Sequence, residues 1–288
     1  MHLFKIEKEW NSTTKRFPII FLGDIHGGSP NCDYPLIQQH IEEIAELPNA
    51  SVFIMGDCME WIVPGDRRFK STNIDKRFSS HLEELPMVYL NYMENLLVPI
   101  ADKIEVFHDG NHEKTMLPYM RPGAELCGRL RKRVEEKHGS EFAQNKLRYA
   151  PGEAYTKIIW KWNGKNSDRR TVMINTAHGW QAGRNPGAKH NSMAQVFAWV
   201  GAELIMRGHS HELFAEFGSP YEEPNPQMTK IVEKTTIYGH TGSYLKTREV
   251  SEDSNYSEDA GYRPLPRGYI EIDIELNDKG LNKEIHIK

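Results

Sequence analysis

Short apolar runs that end in Gly-Asp, Gly-Asn or Gly-His set the rhythm of this chain. Residues 17–22 (FPIIFL) end at Gly23-Asp24, and residues 51–55 (SVFIM) end at Gly56-Asp57. Residues 104–107 run into His108-Asp109-Gly110-Asn111. Runs this short and continuous read as strands buried on both faces. Between the first two, Leu36, Ile37, Ile41, Ile44 and Ala45 recur at helical spacing over 36–47, and Pro48 ends the pattern. Residues 85–100 read as a long amphipathic helix with Pro86 in its first turn, where proline is tolerated. Strand and helix thus alternate, with polar residues at each strand's carboxyl end. That is the pattern of a parallel sheet with a site along its carboxyl edge.

The middle of the chain changes character. Residues 123–138 look helical and carry Arg129, Arg131, Lys132 and Arg133. Three strand-like runs follow at 146–149, 154–162 and 171–176, with the turn Asn163-Gly164-Lys165-Asn166 between the last two. They suggest an antiparallel extension. A Gly-rich loop over 179–190 precedes a helix near 192–200, and a strand at 203–206 delivers Gly208-His209-Ser210-His211. Further strands are expected near 213–217, 230–238, 268–275 and 283–287, and the polar stretch 247–266 reads as a loop or lid. No repeat, low-complexity tract or linker divides the chain. The expectation is one domain over 1–288 with two sheets and a substrate-facing insertion around 115–150.

Bulk properties narrow the class. A chain of 288 residues is long enough to bury a large core. With 39% hydrophobic and 26% charged residues, it is neither a disordered tail nor a coiled coil. A net charge of −4 argues against a general nucleic-acid binder and leaves only a local basic patch for that role. The 129–133 cluster reads more readily as a solvated helix face balanced by Glu135 and Glu136. Cys32, Cys58 and Cys127 form no CxxC pair, so three reduced thiols in a reducing compartment are expected. With no signal core and no run of roughly 18 apolar residues, a cytoplasmic protein without a membrane partner is expected. Oligomeric state is not legible.

Five segments concentrate the chemistry. They are Gly23-Asp24-Ile25-His26, Gly56-Asp57, Gly110-Asn111-His112-Glu113, Ala177-His178-Gly179 and Gly208-His209-Ser210-His211. Phosphate-ester hydrolysis needs a nucleophile at neutral pH and neutralisation of phosphoryl charge, and two divalent ions supply both. A bridging carboxylate, further oxygen donors and several imidazoles suit manganese, zinc or iron. The set contains no cysteine, which favours hydrolytic chemistry over structural zinc. Asp24 and His26 sit in one loop, as do His209 and His211, so each pair either converges on one ion or splays to two. If Asn111 ligates, His112 lies close to the phosphate without being bound, which suits a general acid. His40, His81, His108, His138, His190 and His240 have no such context; of these, His240 in Gly239-His240-Thr241-Gly242-Ser243 is the one that could support the site. Trp160 and Trp162 read as core or rim. Trp180 is set apart by lying beside His178.

With these motifs in order, the chain resembles the calcineurin-like metallophosphoesterases, including members common in phages and bacteria. The family motifs D-x-H, G-D, G-N-H-[DE], a lone His beside Gly, and G-H-x-H are matched from residue 23 to residue 211. The resemblance implies a mixed α/β fold of α+β type, a four-layer αββα sandwich with two mixed sheets and metals at the carboxyl ends of the strands. It implies that Asp24, His26 and His211 hold one metal, that Asn111, His178 and His209 hold the second, and that Asp57 bridges them. His112 would assist the leaving group and contact the phosphate. Asp66-Arg67-Arg68-Phe69 and Gly183-Arg184-Asn185-Pro186-Gly187 resemble the phage and bacterial members, and this suggests that Arg184 binds phosphate or substrate. Glu60 stands where Asp or Asn is common. The implied activity is hydrolysis by a metal-bridging hydroxide with two divalent ions, Mn²⁺ favoured over Zn²⁺ or Fe. Phosphodiesterase or nuclease action is favoured because the family includes DNA repair nucleases and cyclic-nucleotide phosphodiesterases. The alternatives are a protein or nucleotide phosphomonoesterase, or a non-catalytic scaffold of the same fold. A nucleic-acid partner stays open.

Overall fold

The computed structural model describes all residues except 117–118, 164–167, 181–184, 219–220, 225–228, 230, 248–262 and 278–279. In chain order the first half contains β1 (His2–Trp10), β2 (Arg16–Leu22), α1 (Tyr34–Glu46), β3 (Ser51–Ile54), α2 (Leu85–Leu97), β4 (Ile104–His108), α3 (Asn111–Thr115), α4 (Pro122–His138), α5 (Ser140–Gln144) and β5 (Arg148–Ala150). The second half contains β6 (Ala154–Trp162), β7 (Arg169–Ala177), α6 (Pro186–Trp199), β8 (Leu204–Arg207), β9 (Leu213–Phe217), β10 (Tyr221–Pro224), β11 (Ile231–Lys234), β12 (Ile237–Thr241), β13 (Ile270–Asn277) and β14 (Gly280–Ile287).

Two six-stranded sheets form the body. The first has the order β14-β13-β2-β3-β4-β5 and the second β1-β6-β7-β8-β12-β9; β10 and β11 pair as a separate hairpin. In the first sheet β2, β3, β4 and β5 run parallel, and β13 is antiparallel to β2 and to β14. In the second, β7, β8 and β12 run parallel, while β6 and β9 are antiparallel to their neighbours β7 and β12.

Side-chain alternation builds the layers. Ile20 and Leu22 of β2 face α1, α2 and α4, where they meet Ile41, Leu90, Met93 and Leu130. Phe17, Ile19 and Phe21 point the other way, into a core shared with Trp160, Val172, Ile174 and Met206 of the second sheet. Ile205 of β8 faces outward onto Met193 and Val196 of α6. The result is a four-layer αββα sandwich. A strand inside such a sandwich is covered on both faces, which is why β2 and β3 appear in sequence as nearly continuous apolar runs, while β4 buries Glu105 and His108 among its apolar residues.

Four points differ from the sequence reading. β1, on the sheet edge, has no counterpart there: its inward-facing set includes His2 and Lys8, and only Ile6 and Trp10 are fully buried. The run at 146–149 becomes β5, which joins the first sheet parallel to β4 and so is not part of an antiparallel extension with β6 and β7. The 230–238 strand is two strands, β11 and β12. The helix expected near 192–200 starts at Pro186, with Asn185 as its cap: the side-chain oxygen accepts from the Gly187 N–H at 2.9 Å. The turn residues 164–166 and most of the expected lid at 247–266 lie outside the described residues.

Candidate metal centre

All seven candidate ligands sit just beyond strand carboxyl ends. Asp24 and His26 follow β2, Asp57 follows β3, and Asn111 opens α3 after β4. His178 follows β7, and His209 and His211 follow β8. The first sheet therefore contributes four and the second sheet three. Among the described residues eight non-glycines have positive φ, and five of them are Asp24 (49°), His26 (52°), Asp57 (48°), His209 (66°) and His211 (59°). Each such conformation costs on the order of 1–3 kcal/mol and persists only where surrounding contacts over-determine it.

Those contacts are present. The Asp24 N–H donates to Gly56 O, the His26 N–H to Asp57 O and the Gly27 N–H to Cys58 O, each at 2.9 Å, so the loops after β2 and β3 continue to pair. The Ser243 hydroxyl and the Tyr244 N–H donate to Asp24 O at 2.9 and 3.0 Å. The His209 N–H lies 3.0 Å from both Asp24 carboxylate oxygens, which joins the two sheets at the site. Space is as tight as the hydrogen bonding. A Cβ at Gly110 would strike the Asp57 carboxylate, and one at Gly208 would come within 2.6 Å of Asp24 Oδ2.

Three donor groups form, Asp24–His26–His211, Asp57–His178–His209 and His26–Glu60–His112, each with ligand atoms within 4.8 Å of one another; the first two contain every candidate ligand except Asn111. His26 Nε2 is 3.0 Å from His211 Nε2, which is 3.4 Å from Asp24 Oδ1. His178 Nε2 is 3.0 Å from Asn111 Oδ1 and 3.1 Å from Asp57 Oδ2. His26 Nε2 reaches Asp57 Oδ2 at 3.9 Å, so Asp57 touches both of the first two groups. The tautomers bear on what fits here. His178 Nδ1 donates to Met55 O at 2.8 Å, and His26 Nδ1 donates to Glu60 Oε1 at 3.1 Å. Once each ring gives up its Nε2 proton, as ligation of a cation requires, each Nε2 becomes a lone pair aimed at other electron-rich atoms. Convergent nitrogen and oxygen lone pairs are what a divalent cation satisfies, so the residues fit the metals that the resemblance implies.

Electrostatics follow from burial and from the neighbours. Burial pushes the Asp24 carboxyl up to about 7. Burial disfavours charge on His26 and His178, yet Glu60 beside the first and Asp57 beside the second raise both to about 9. Burial would likewise raise Asp57, but His178, His112 and His26 hold it well below the usual carboxylate range. Burial drives His209 down to about 4 and His211 well below its ordinary value.

His112 belongs to neither of the groups that contain the candidate ligands, and lies instead in the third with His26 and Glu60. Its N–H donates to Asp57 Oδ1 at 2.8 Å, and its Nδ1 lies 2.5 Å from the Glu60 carbonyl and 3.3 Å from Glu60 Oε2. Glu60 thus contacts both His26 and His112, a position that sequence reasoning registered only as a departure from the usual Asp or Asn. Glu113 went without a role in the sequence reading. Its buried carboxylate accepts from the N–H groups of Asp57 (2.9 Å), Cys58 (2.9 Å) and Gly110 (2.7 Å) and from the Trp61 indole (3.2 Å). The G-N-H-[DE] motif was the available signal for it.

The remaining candidates separate. Arg184 lies outside the described residues. Trp180 is 59% exposed beside His178, whereas Trp160 is fully buried. His240 is buried against the Phe214 ring and beside the backbone of Arg207 and Gly208, which lead into the His209 turn; burial lowers it to about 3. Three of the basic cluster are engaged within the fold. Arg129 meets Glu125, Asn91 and Glu94, Arg131 donates to Leu147 O, and Arg133 meets Glu94 and Glu136. All three cysteines are buried free thiols. Among the described residues no helix is long and apolar enough to cross a membrane.

The family model for calcineurin-like phosphoesterases matches residues 17–213, and the chain belongs to that family. Comparison with curated proteins gave no match. Among solved structures, a predicted phosphoesterase from Streptococcus pneumoniae is 12% identical over 94% of this chain and 90% of its own, at a TM-score of 0.32. Vacuolar Protein Sorting 29 from Cryptosporidium parvum is 10% identical over 94% of this chain and 97% of its own, at 0.34. A metallophosphoesterase from Sphaerobacter thermophilus is 10% identical over 94% and 89%, also at 0.34. Overlaps this loose add nothing to the architecture, which stands on the sheets and cores described above.

Proposed function

We propose that the protein hydrolyses phosphate esters with two divalent ions held where the two sheets meet. Asp24, His26 and His211 would hold one ion, Asn111, His178 and His209 the other, and Asp57 would be shared. The observation that carries this reading is the pair of convergent donor groups. The donor chemistry suits Mn²⁺, Zn²⁺ or Fe, and Mn²⁺ is the one favoured. When bound, such ions lower the pKa of water and neutralise phosphoryl charge.

The chain's own residues supply the rest. The Glu60 carbonyl can only accept, so His112 Nδ1 carries a hydrogen. Nε2 is then the atom left to hand a proton to the leaving oxygen. Asp57 fixes the His112 backbone through Oδ1, so the shared carboxylate and the acid move as one piece. Phosphodiesters are favoured over monoesters on the strength of the family resemblance. Arg184, the 115–150 segment and the 247–266 segment are proposed to shape substrate binding. A scaffold of the same fold without catalysis is disfavoured by the intact Asn111-His112 pair.

The test is turnover of bis(p-nitrophenyl) phosphate and p-nitrophenyl phosphate by purified chain loaded with Mn²⁺. Turnover of both, faster on the diester, is expected. Turnover of neither overturns the enzymatic reading, and a preference for the monoester overturns the choice of diester.

A further inference from the structure

The turn that carries His209 and His211 is gripped from outside by charged residues that no motif includes. Lys189, near the start of α6, is 5% exposed. Its ammonium donates to Ser210 O at 2.6 Å and sits 3.2 Å from Glu212 Oε1. Glu212 is also 5% exposed, and Arg263 reaches its other oxygen, Oε2, at 2.8 Å. The backbone of Glu212 is held as well: its N–H donates to Ser210 Oγ at 3.2 Å, and its carbonyl accepts from the Gly242 N–H at 2.8 Å. Burying an ammonium is costly unless its partners are well placed. Both side-chain partners of Lys189 belong to the four residues 209–212.

From this geometry we infer that Lys189 and Glu212 form a positioning clamp that sets the affinity of both metal ions. The inference rests on the two-metal reading above. Ser210 lies between His209 and His211, and each imidazole belongs to a different donor group. Both are in the left-handed region, where the backbone relaxes unless it is held. Lys189 anchors the carbonyl between them, and Glu212 anchors Lys189. Loosening this one turn misplaces one ligand of each ion. A salt bridge that served only the fold would change stability and leave metal affinity alone.

The experiment is a calorimetric Mn²⁺ titration of the full chain, with thermal unfolding measured on the same samples. Lys189→Met and Glu212→Gln are each expected to weaken binding of both ions by about 10–100-fold, the usual effect of removing a ligand's supporting contact. Glu212→Gln keeps shape and volume, so it serves where Lys189→Met fails to fold. The double variant should lose little more than either single one, because the two side chains act as a unit. The control is Lys8→Met. Lys8 pairs with Glu105 at 3.5 Å at the opposite end of the strands and reaches the Asn49 and Ala50 carbonyls. It should lower stability and keep Mn²⁺ affinity. Unchanged affinity in both folded clamp variants, or a loss confined to one ion, overturns the clamp. A wild-type chain that binds fewer than two Mn²⁺ overturns the two-metal reading itself, a separate result.

Discussion

Glu113 Oε2 accepts the backbone N–H of Asp57 at 2.9 Å, and the same carboxylate gathers three more donors from Cys58, Gly110 and Trp61. Two loops, after β3 and after β4, therefore hang from one buried side chain. The motif Asn-His-Glu thus combines a candidate ligand, a candidate acid and the residue that fixes the shared carboxylate.

Glu113→Gln should expose the cost of that arrangement. The amide offers one acceptor oxygen and turns an NH₂ toward backbone donors. Loss of charge-assisted hydrogen bonds predicts a destabilisation of about 2–5 kcal/mol, which corresponds to a melting-temperature drop of roughly 5–15 °C. Thermal unfolding followed by circular dichroism measures it. An unshifted midpoint would show that the carboxylate is dispensable.

Asp57 and His112 should part company. Asp57→Asn removes the carboxylate that touches both donor groups, so Mn²⁺ binding and turnover should both be lost. His112→Ala should leave Mn²⁺ affinity close to wild type while kcat falls by about 10²–10⁴-fold, the range for a general acid. Calorimetry and single-turnover kinetics separate the two, and a His112→Ala protein that cannot bind metal contradicts the assignment.

Glu60 has a double attachment, to His26 at 3.1 Å and to His112 at 3.3 Å. Glu60→Gln should weaken Mn²⁺ binding by about 10-fold or more through His26. Saturating Mn²⁺ should then restore occupancy with kcat still reduced, because His112 keeps the Glu60 carbonyl but loses the carboxylate charge beside its ring. Full recovery of kcat at high Mn²⁺ would confine Glu60 to the metal side.

His108 predicts a pH effect on stability. It is fully buried, its Nδ1 lies 2.7 Å from Gly152 O and 3.0 Å from Ala150 O, and its Nε2 lies 2.8 Å from Thr176 Oγ1. Burial lowers it to about 4, below its ordinary value of 6.5. The unfolded chain therefore takes up a proton that the folded chain refuses. The stability tied to neutral His108 is complete above pH 6.5 and is lost as pH falls from 6.5 through 4, by about 3 kcal/mol in all. Urea unfolding across that window should give a shallower acid slope for His108→Gln than for wild type. Parallel slopes would refute it.

Much of this architecture was legible because it is local. Strands covered on both faces leave continuous apolar runs, and Gly-Asp or Gly-His after each run marks the carboxyl ends where β2, β3 and β8 stop. β1 escaped because its alternation is weak in residue type: the inward-facing set includes His2 and Lys8, and only Ile6 and Trp10 are fully buried. β5 was misassigned because a three-residue strand does not encode its partner; pairing with β4 is a contact about 42 positions apart, as between Val106 and Arg148. Arg129 and Arg133 read as a basic face, while Glu94, which neutralises them, lies on another helix.

The donor chemistry and the strand-end positions of the seven candidate ligands follow from spacing and residue type, which act over a few neighbouring residues, whereas the layered fold was implied by the family resemblance. Two things come from contacts far apart in the chain. One is that loops from two different sheets meet, with the His209 N–H on the Asp24 carboxylate. The other is that Glu60, Glu113, Lys189 and Glu212 close around the ligands. Such contacts depend on how layers stack and which strands adjoin. Those choices are made by the burial of whole faces, and a short motif carries no record of them.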